Sequence, residues 1–476
     1  MESFQGFDPV DRKTLTVRVP RSLDLRVSAN AAGLTSEPRL REDDFVVLAW
    51  SATNQPALRR EDSLPPTWSL APTVTLSAGD WKSYSRAVGT ALAKPAVGGT
   101  VAATAQKLKA ASSNDLDCVR AIRDFMARQI RAAGPALPEL PLAVVSPAEV
   151  TLKDGYGHGA DRAALLHALL TAAGFAPEYV LASSLARVPE VAAAPLETPQ
   201  PFAFPDVLVR VRAGREELLL GDTDQYAALG ATPHDGQPGL DLARGKVITL
   251  HAAAGHAERV AVFFGVHPAA DGSALVTVTN LYYGMAQAAF RRATDEFTAE
   301  ERRRHFQALV SDLSQNATPV GGYVTRTDVH PAQEFYTVRA AHFAPPQNGL
   351  QTCFLPVVGA NLSADKLSLP GVRADNRSAP LLWDRFVRAE IRTTVFPAPE
   401  FSRARLVPPG LRWRAPAGGG RVDCTTHMEN GALVIDRKWE LVPAVFAARR
   451  YGELLEINRL LTHPERTTIV FGAAPP

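Results

Sequence analysis

Asp154-Gly-Tyr-Gly-His-Gly159-Ala-Asp-Arg-Ala-Ala-Leu-Leu-His-Ala-Leu-Leu-Thr-Ala-Ala-Gly174 is the stretch whose reading decides the fold. Its first six residues hold three glycines and read as a loop. Leu165, Leu166, Leu169 and Leu170 then fall on one stripe of a 3.6-residue period, which predicts a helix over 160–173. Gly174 sits where a left-handed C′ residue would close that helix. Period-two or apolar runs follow at 178–181, 207–211 and 217–220 and predict three strands. The connection from Pro189 to Pro205 is rich in Pro and Ala and reads as an exposed loop. A helix that begins at a glycine loop and packs on later strands is an α+β arrangement.

Upstream, Asn114 is placed to cap a helix, with Asp115 and Asp117 at its positive end. Leu116, Val119, Ile122, Met126 and Ile130 form its apolar face, and Gly134-Pro135 stops it. Ala87 to Ser113 is Ala-rich and interrupted by Pro95 and Gly98-Gly99. Before about residue 85 the chain reads as strands, at Leu15–Val19, Leu23–Val27 and Phe45–Trp50. After about 256 strands return. Asp271-Gly272 lies between the apolar runs 260–264 and 275–279, and Asn430-Gly431 precedes Leu433, Ile435, Trp439 and Leu441; both are hairpin signals. Thr298-x-x-Glu301 is a capping box for a helix bearing Phe306, Leu309, Val310 and Leu313. Tyr451 to Leu461 reads as a helix and Thr467 to Phe471 as a strand. The expected organisation is a central α+β domain at 86–255 between antiparallel, β-sandwich-like domains at 1–85 and 256–476, the last with helical insertions.

Composition bounds what such a chain can do. Its 476 residues are 46% hydrophobic and 21% charged, enough to bury sizeable cores and unlike a disordered chain. Net charge is +2, so no field of one sign draws in nucleic acid, and no nucleic-acid partner is expected. Three cysteines, Cys118, Cys353 and Cys424, lack C-x-x-C spacing and supply neither a disulfide scaffold nor a zinc site. The start of the chain has no basic segment followed by an apolar core, so no signal peptide is expected in it. The most apolar stretch, 163–180, carries His167 and Glu178 and is broken by Gly174 and Pro177; it is not a membrane span.

The order of helix, Gly-Tyr-Gly loop, leucine helix, strand, loop and two further strands resembles the transglutaminase-like superfamily of papain-like fold. The chain also resembles a bacterial subgroup in which such a domain is flanked by β-rich domains of unknown function. In that family the loop reads roughly Tyr-Gly-Asp-Cys-Lys-Asp-Lys, and its cysteine begins the helix. Here Tyr156-Gly157-His158-Gly159-Ala160-Asp161-Arg162 matches at Asp161 and Arg162, and Gly159 stands at the cysteine position. The family's histidine strand reads roughly Phe-Asn-His-Val; here Phe204-Pro205-Asp206-Val207 puts Asp206 at the histidine. The orienting strand reads roughly Leu-Asp-Pro-Thr; here Leu220-Gly221-Asp222-Thr223 puts Gly221 at the aspartate, with Asp222 one residue on and facing the other side of a strand. Trp50-Ser-Ala-Thr-Asn-Gln-Pro56, Ala121 to Ile130 and Tyr451 to Leu461 resemble flanking elements of the same proteins. Those proteins are commonly exported; no localisation is assigned to this chain.

The resemblance implies a thiolate formed at a helix N-terminus, a histidine sharing its proton and an aspartate orienting the histidine. Glycine has no side chain to serve as nucleophile, so the triad positions Gly159, Asp206 and Gly221 are expected to be catalytically degenerate. No cofactor and no metal are expected. Tyr156, His158, Asp206 and Asp222 are the candidates for contacting a ligand in the old cleft. The family's substrates imply a peptide or protein partner, held for binding or scaffolding. The alternative is a hydrolase with rebuilt acid–base or metal chemistry at His158, Asp206 and Asp222. Cys118 falls on the wrong helix to replace the nucleophile, His167 reads as a helix-face residue, and Arg302-Arg303-Arg304 beside Glu300-Glu301 reads as a solvated face. No serine lies in a G-x-S-x-G context.

Overall fold

An apolar stripe as dense as 165–170 needs cover on every side, and the chain supplies it with helices on one flank and a sheet on the other. The computed structural model describes residues 1–30, 33–37, 39–93, 98–221, 225–355, 372 and 376–473. The chain divides into two compact units, Met1–Ala257 and Glu258–Pro476. Helices and antiparallel sheets are mixed, an α+β protein. No helix among the described residues is long and apolar enough to cross a membrane.

The first unit begins with strands. β1 (Val10–Pro20) pairs antiparallel with β3 (Phe45–Gln55), and β2 (Leu25–Asn30) with β4 (Thr73–Ala78). Phe4, Trp50, Ala52 and Val74 form the small core of this region. Four helices follow: α1 (Trp81–Ala93), α2 (Gly99–Ala110), α3 (Asp115–Gln129) and the short α4 (Ala148–Asp154). They lead to α5 (Gly159–Ala172), which buries Ala160 to Leu166 and Ala168 to Leu170 and is therefore central, not a surface helix. The Asn114 side chain caps α3, accepting the Asp117 N–H at 3.0 Å. Gly174, at φ +96°, ends α5: its N–H reaches the Thr171 carbonyl at 2.9 Å, and the Phe175 N–H the Leu170 carbonyl at 3.0 Å.

α5 packs on a five-stranded antiparallel sheet built from β5 (Glu178–Ala182), β6 (Asp206–Ala213), β7 (Glu216–Leu220), β8 (Pro238–Asp241) and β9 (Lys246–Thr249), in the order β7-β6-β5-β8-β9. Leu181, Val209, Val211, Leu218 and Leu240 point from the sheet into the core around α5. An ionic latch crosses its three middle strands. Asp241 on β8 is buried and takes Arg210 of β6 at 2.7 Å, and Arg210 also pairs with Glu178 of β5. Arg244 Nη1 reaches the same Asp241 oxygen at 2.5 Å, and the Arg244 N–H reaches the other at 3.0 Å.

The segment 189–205 departs from the expected exposed loop. Pro189–Glu197 is a helix, α6, with Val191, Ala192 and Pro195 buried. Proline at its first turn has no N–H to waste, and the alanines favour the helix. Its cover comes from chain segments far away in sequence: the indole N–H groups of Trp68 and Trp81 donate to the Val191 and Leu196 carbonyls, at 3.0 and 2.8 Å. The Ser77 hydroxyl donates to the Pro199 carbonyl at 2.6 Å.

The second unit is built on a nine-stranded sheet. It contains β10 (Arg259–Pro268), β11 (Ala274–Tyr283), β12 (Ala332–Ala340), β13 (Val387–Val395), β14 (Gly420–Glu429) and β15 (Ala432–Leu441), in the internal order β12-β11-β10-β13-β15-β14. β10 and β13 are parallel; the other neighbours named here are antiparallel. Asn430 (φ +50°) and Gly431 (φ +81°) make the two-residue turn of the β14–β15 hairpin. α7 (Met285–Asp295) and α8 (Ala299–Leu313) lie between β11 and β12 in the chain. The Thr298–Glu301 capping box is formed, and Arg303 and Arg304 lie exposed and paired with Glu300. At the base of this unit Glu334 is fully buried. Its oxygens accept from Asn280 at 2.5 Å, Tyr282 at 3.0 Å and Tyr323 at 2.6 Å, with His305 Nε2 at 3.6 Å. Burial alone would raise the Glu334 pKa, but hydrogen bonds led by those from His305 and Tyr323 hold it below the ordinary value.

Burial would also raise the Asp241 carboxyl; the bonds from Arg210 and Arg244 outweigh it and hold it below its ordinary 3.8. A lowered folded-state pKa stabilises fully above the unfolded value, and that contribution fades as pH falls through the folded one. Asp241→Asn is therefore expected to lower stability clearly at pH 7, with the difference from the parent shrinking below about pH 4. Urea unfolding at several pH values measures this; an equal difference at pH 7 and pH 3 would contradict the latch.

Candidate functional site

The head of α5 is assembled from two loops tied side by side. Residues after α3 pair in parallel with those before α5, Arg131 opposite Tyr156 and Ala132 opposite Gly157. The Arg131 and Ala133 N–H groups donate to the Gly155 and Gly157 carbonyls at 2.8 and 2.9 Å. At Gly157 a Cβ would lie 2.8 Å from the Cβ of Asp161, so the loop can pass this close to the helix only as glycine.

Asp161, buried in the first turn of α5, is the centre of this region. One of its oxygens accepts the Ser146 N–H at 2.6 Å, and the other the His158 N–H at 3.3 Å. His158 returns the bond as the helix N-cap, its Nδ1 accepting the Ala160 N–H at 3.2 Å. An accepting Nδ1 puts the ring proton on Nε2. That atom lies 3.2 Å from Asp161 Oδ1 but is not aligned as a hydrogen bond. The His158 side chain is 11% exposed. Both ring nitrogens thus face the helix head itself. From sequence alone His158 is expected to contact a ligand, and Asp161 stands only as a match to the family. The reciprocal spacing of 158 and 161 was the available signal, obscured because histidine is a rare N-cap.

Gly159, the first residue of α5, is in a different situation. A Cβ added there meets no atom within 4 Å, and its φ lies outside the left-handed region. A side chain would therefore fit at the position where helix-terminal N–H groups and the dipole favour negative charge. Asp206 opens β6, exposed, and pairs with Ala182. The loop after α3 reaches this strand through the Leu137 N–H, 3.4 Å from the Pro205 carbonyl. Gly221 is exposed just past β7, and a Cβ on it would lie 4.0 Å from Leu208 Cδ2. Asp222 lies outside the described residues. Tyr156 is 56% exposed beside the helix head. His158 and Asp206 are not joined by any hydrogen bond or ion pair among the described residues; the partner of His158 is Asp161. No group of three or more metal-binding side chains is present among the described residues.

The cysteines lie elsewhere. Cys118 is buried in α3 and Cys353 in the second unit, and Cys424 is on β14. Burial raises all three thiols, Cys353 to about 12, the direction opposite to that of a nucleophilic cysteine. His167 stacks on Tyr179 with ring centres 4.3 Å apart, and its Nε2 lies 3.1 Å from the Pro177 carbonyl. Burial lowers its pKa.

Gly159→Cys is expected to fold with a Tm within about 2 °C of the parent. Its thiol should react with iodoacetamide at least ~10 times faster than the three native thiols, because it is open and at a helix N-terminus. Peptide mass spectrometry over a labelling time course checks this; a thiol at 159 as slow as Cys118 would show that the helix head is closed.

No family model matches the chain, and no curated protein matches it. Among solved structures, that of a "putative protease" from Parabacteroides distasonis aligns with a TM-score of 0.63 at 16% identity, over 99% of this chain and 74% of that one. A "putative cysteine protease" from Cytophaga hutchinsonii is 14% identical over 52% of this chain and 83% of that chain, with a TM-score of 0.24, too low to carry an argument. The first likeness shows a shared fold and nothing more: a multidomain, β-rich α+β architecture.

Proposed function

We propose that this chain is a transglutaminase-like protein whose catalytic positions no longer work, and that it binds an extended peptide or protein segment at the head of α5 without cleaving it. Residues 86–255 would hold the segment, with the β-rich regions 1–85 and 256–476 as flanking scaffold. The observation that carries this reading is the open space at Gly159, where acyl transfer in this family requires sulfur. Three further features support it. His158 spends its ring on the helix cap and on Asp161, so it is not directed at position 159 as a base. Asp206, at the family's histidine position, can accept a hydrogen bond but has no imidazole ring to pass a proton between two nitrogens. The native thiols are placed elsewhere, and burial raises the pKa of each. A binding site needs only shape and hydrogen-bond partners, and the exposed Tyr156 and Asp206 supply an aromatic face and an acceptor.

The test uses a dansyl-labelled, glutamine-containing decapeptide with and without a primary amine. No ammonia release, cleavage or crosslinking is expected, and iodoacetamide should change nothing. Saturable binding by fluorescence anisotropy is expected, weakened by Gly159→Trp. Turnover that iodoacetamide abolishes would contradict the loss of catalysis, and binding indifferent to Gly159→Trp would contradict the location of the site.

A further inference from the structure

The second unit carries a cleft unrelated to the triad positions. Strand directions explain how it forms. β10 and β13 run parallel, Val260 opposite Ala389, so Arg259 and the segment 385–388 meet at one end of the sheet. β11 returns antiparallel, Tyr283 opposite Arg259, so α7 starts from that same end. Between them lies a cleft of about 440 Å³, within the range of small-molecule sites. Ala289, Phe290, Phe297 and Phe386 give it apolar and aromatic walls. Tyr282 and His305 also line it, and both are anchored from behind by the buried Glu334, which makes this wall stiff.

The charges at the cleft are unbalanced. Arg259, Arg385 and Arg388 line it against a single carboxylate, Glu258. Arg259 lies over the Tyr283 ring at 4.0 Å and Arg385 over the Trp383 ring at 5.3 Å. Stacking holds a guanidinium flat and leaves its N–H edge available for a planar anion. Neither Arg259 nor Arg385 has a carboxylate partner among the described residues. An adjoining cleft of about 420 Å³ shares Arg259 and is lined by Trp439. Trp439 is 3% exposed, and its buried indole N–H has no acceptor among the described residues. Buried donors are nearly always satisfied, so this indole N–H beside Arg259 is a donor for an acceptor that a ligand would bring.

We propose that this cleft binds a small amphiphilic carboxylate, its acid group received by Arg259 and Arg385 and its apolar body lying against α7 and the phenylalanines. The proposal is independent of the peptide-binding reading. Isothermal titration of the full chain with sodium decanoate, kept below its micellar concentration, tests it. One saturable site is expected, with no saturable heat from 1-decanol. The double variant Arg259→Gln/Arg385→Gln should weaken decanoate at least tenfold. Ala289→Trp, on the exposed side of α7, should fill the cleft and abolish binding. All three positions are exposed, so circular dichroism is expected to show parent-like folding. Absence of saturable binding, equal binding of 1-decanol, or binding unchanged in both variants would overturn the proposal.

Discussion

A buried carboxylate must be satisfied or neutralised, and Asp161 meets that demand with the backbone of two loops. Ser146 and His158 donate their N–H groups to it, and the ladder between 131–132 and 156–157 holds the same loops together. Each such charge-assisted bond contributes on the order of 1.5–3 kcal/mol. The start of α5 is thereby fixed, and with it the orientation of a helix that supplies the core of the first unit. The same constraint determines what His158 can do. A ring that accepts from Ala160 and rests against Asp161 is part of the helix head, and its removal would be felt first as a lost cap.

The sheet beneath α5 is held by a comparable device. Asp241 joins Arg210 and Arg244, and Arg210 joins Glu178, so three strands are locked in register at a point where the core is otherwise apolar. The second unit repeats the pattern with Glu334 and its tyrosines. In each unit a buried acid organises elements distant in sequence. The proposed peptide site is the open space at Gly159, and the proposed carboxylate site lies at Arg259 and Arg385.

Local signals were legible wherever one short segment carried the whole cause. Asn114 as a cap, Gly174 as the end of α5, the Thr298–Glu301 box and the Asn430-Gly431 turn could all be read from residue type and spacing. The leucine stripe located the central helix, and the three strands after it followed from alternation. Segment 189–205 was misread because its burial depends on Trp68 and Trp81, more than a hundred residues earlier. The role of Asp161 was hidden for a related reason: one of its partners, Ser146, contributes a backbone N–H, which residue identity does not advertise. The Arg259–Arg385 cleft needed the parallel pairing of β10 and β13, a long-range fact invisible in either strand alone. Gly159 was legible as a missing side chain, but that space exists above it was not.

His158 caps α5 through its ring, and the proposed loss of catalysis requires that it not act as a general base. A long-range proton–nitrogen correlation spectrum of the imidazoles, assigned with His158→Gln, tests it directly. The expected spectrum shows Nδ1 of His158 as an unprotonated acceptor and the proton on Nε2, unchanged when the glutamine peptide is added. A proton on Nδ1, or a ring that changes tautomer with the peptide bound, would show the imidazole free to act in the cleft and would contradict the account.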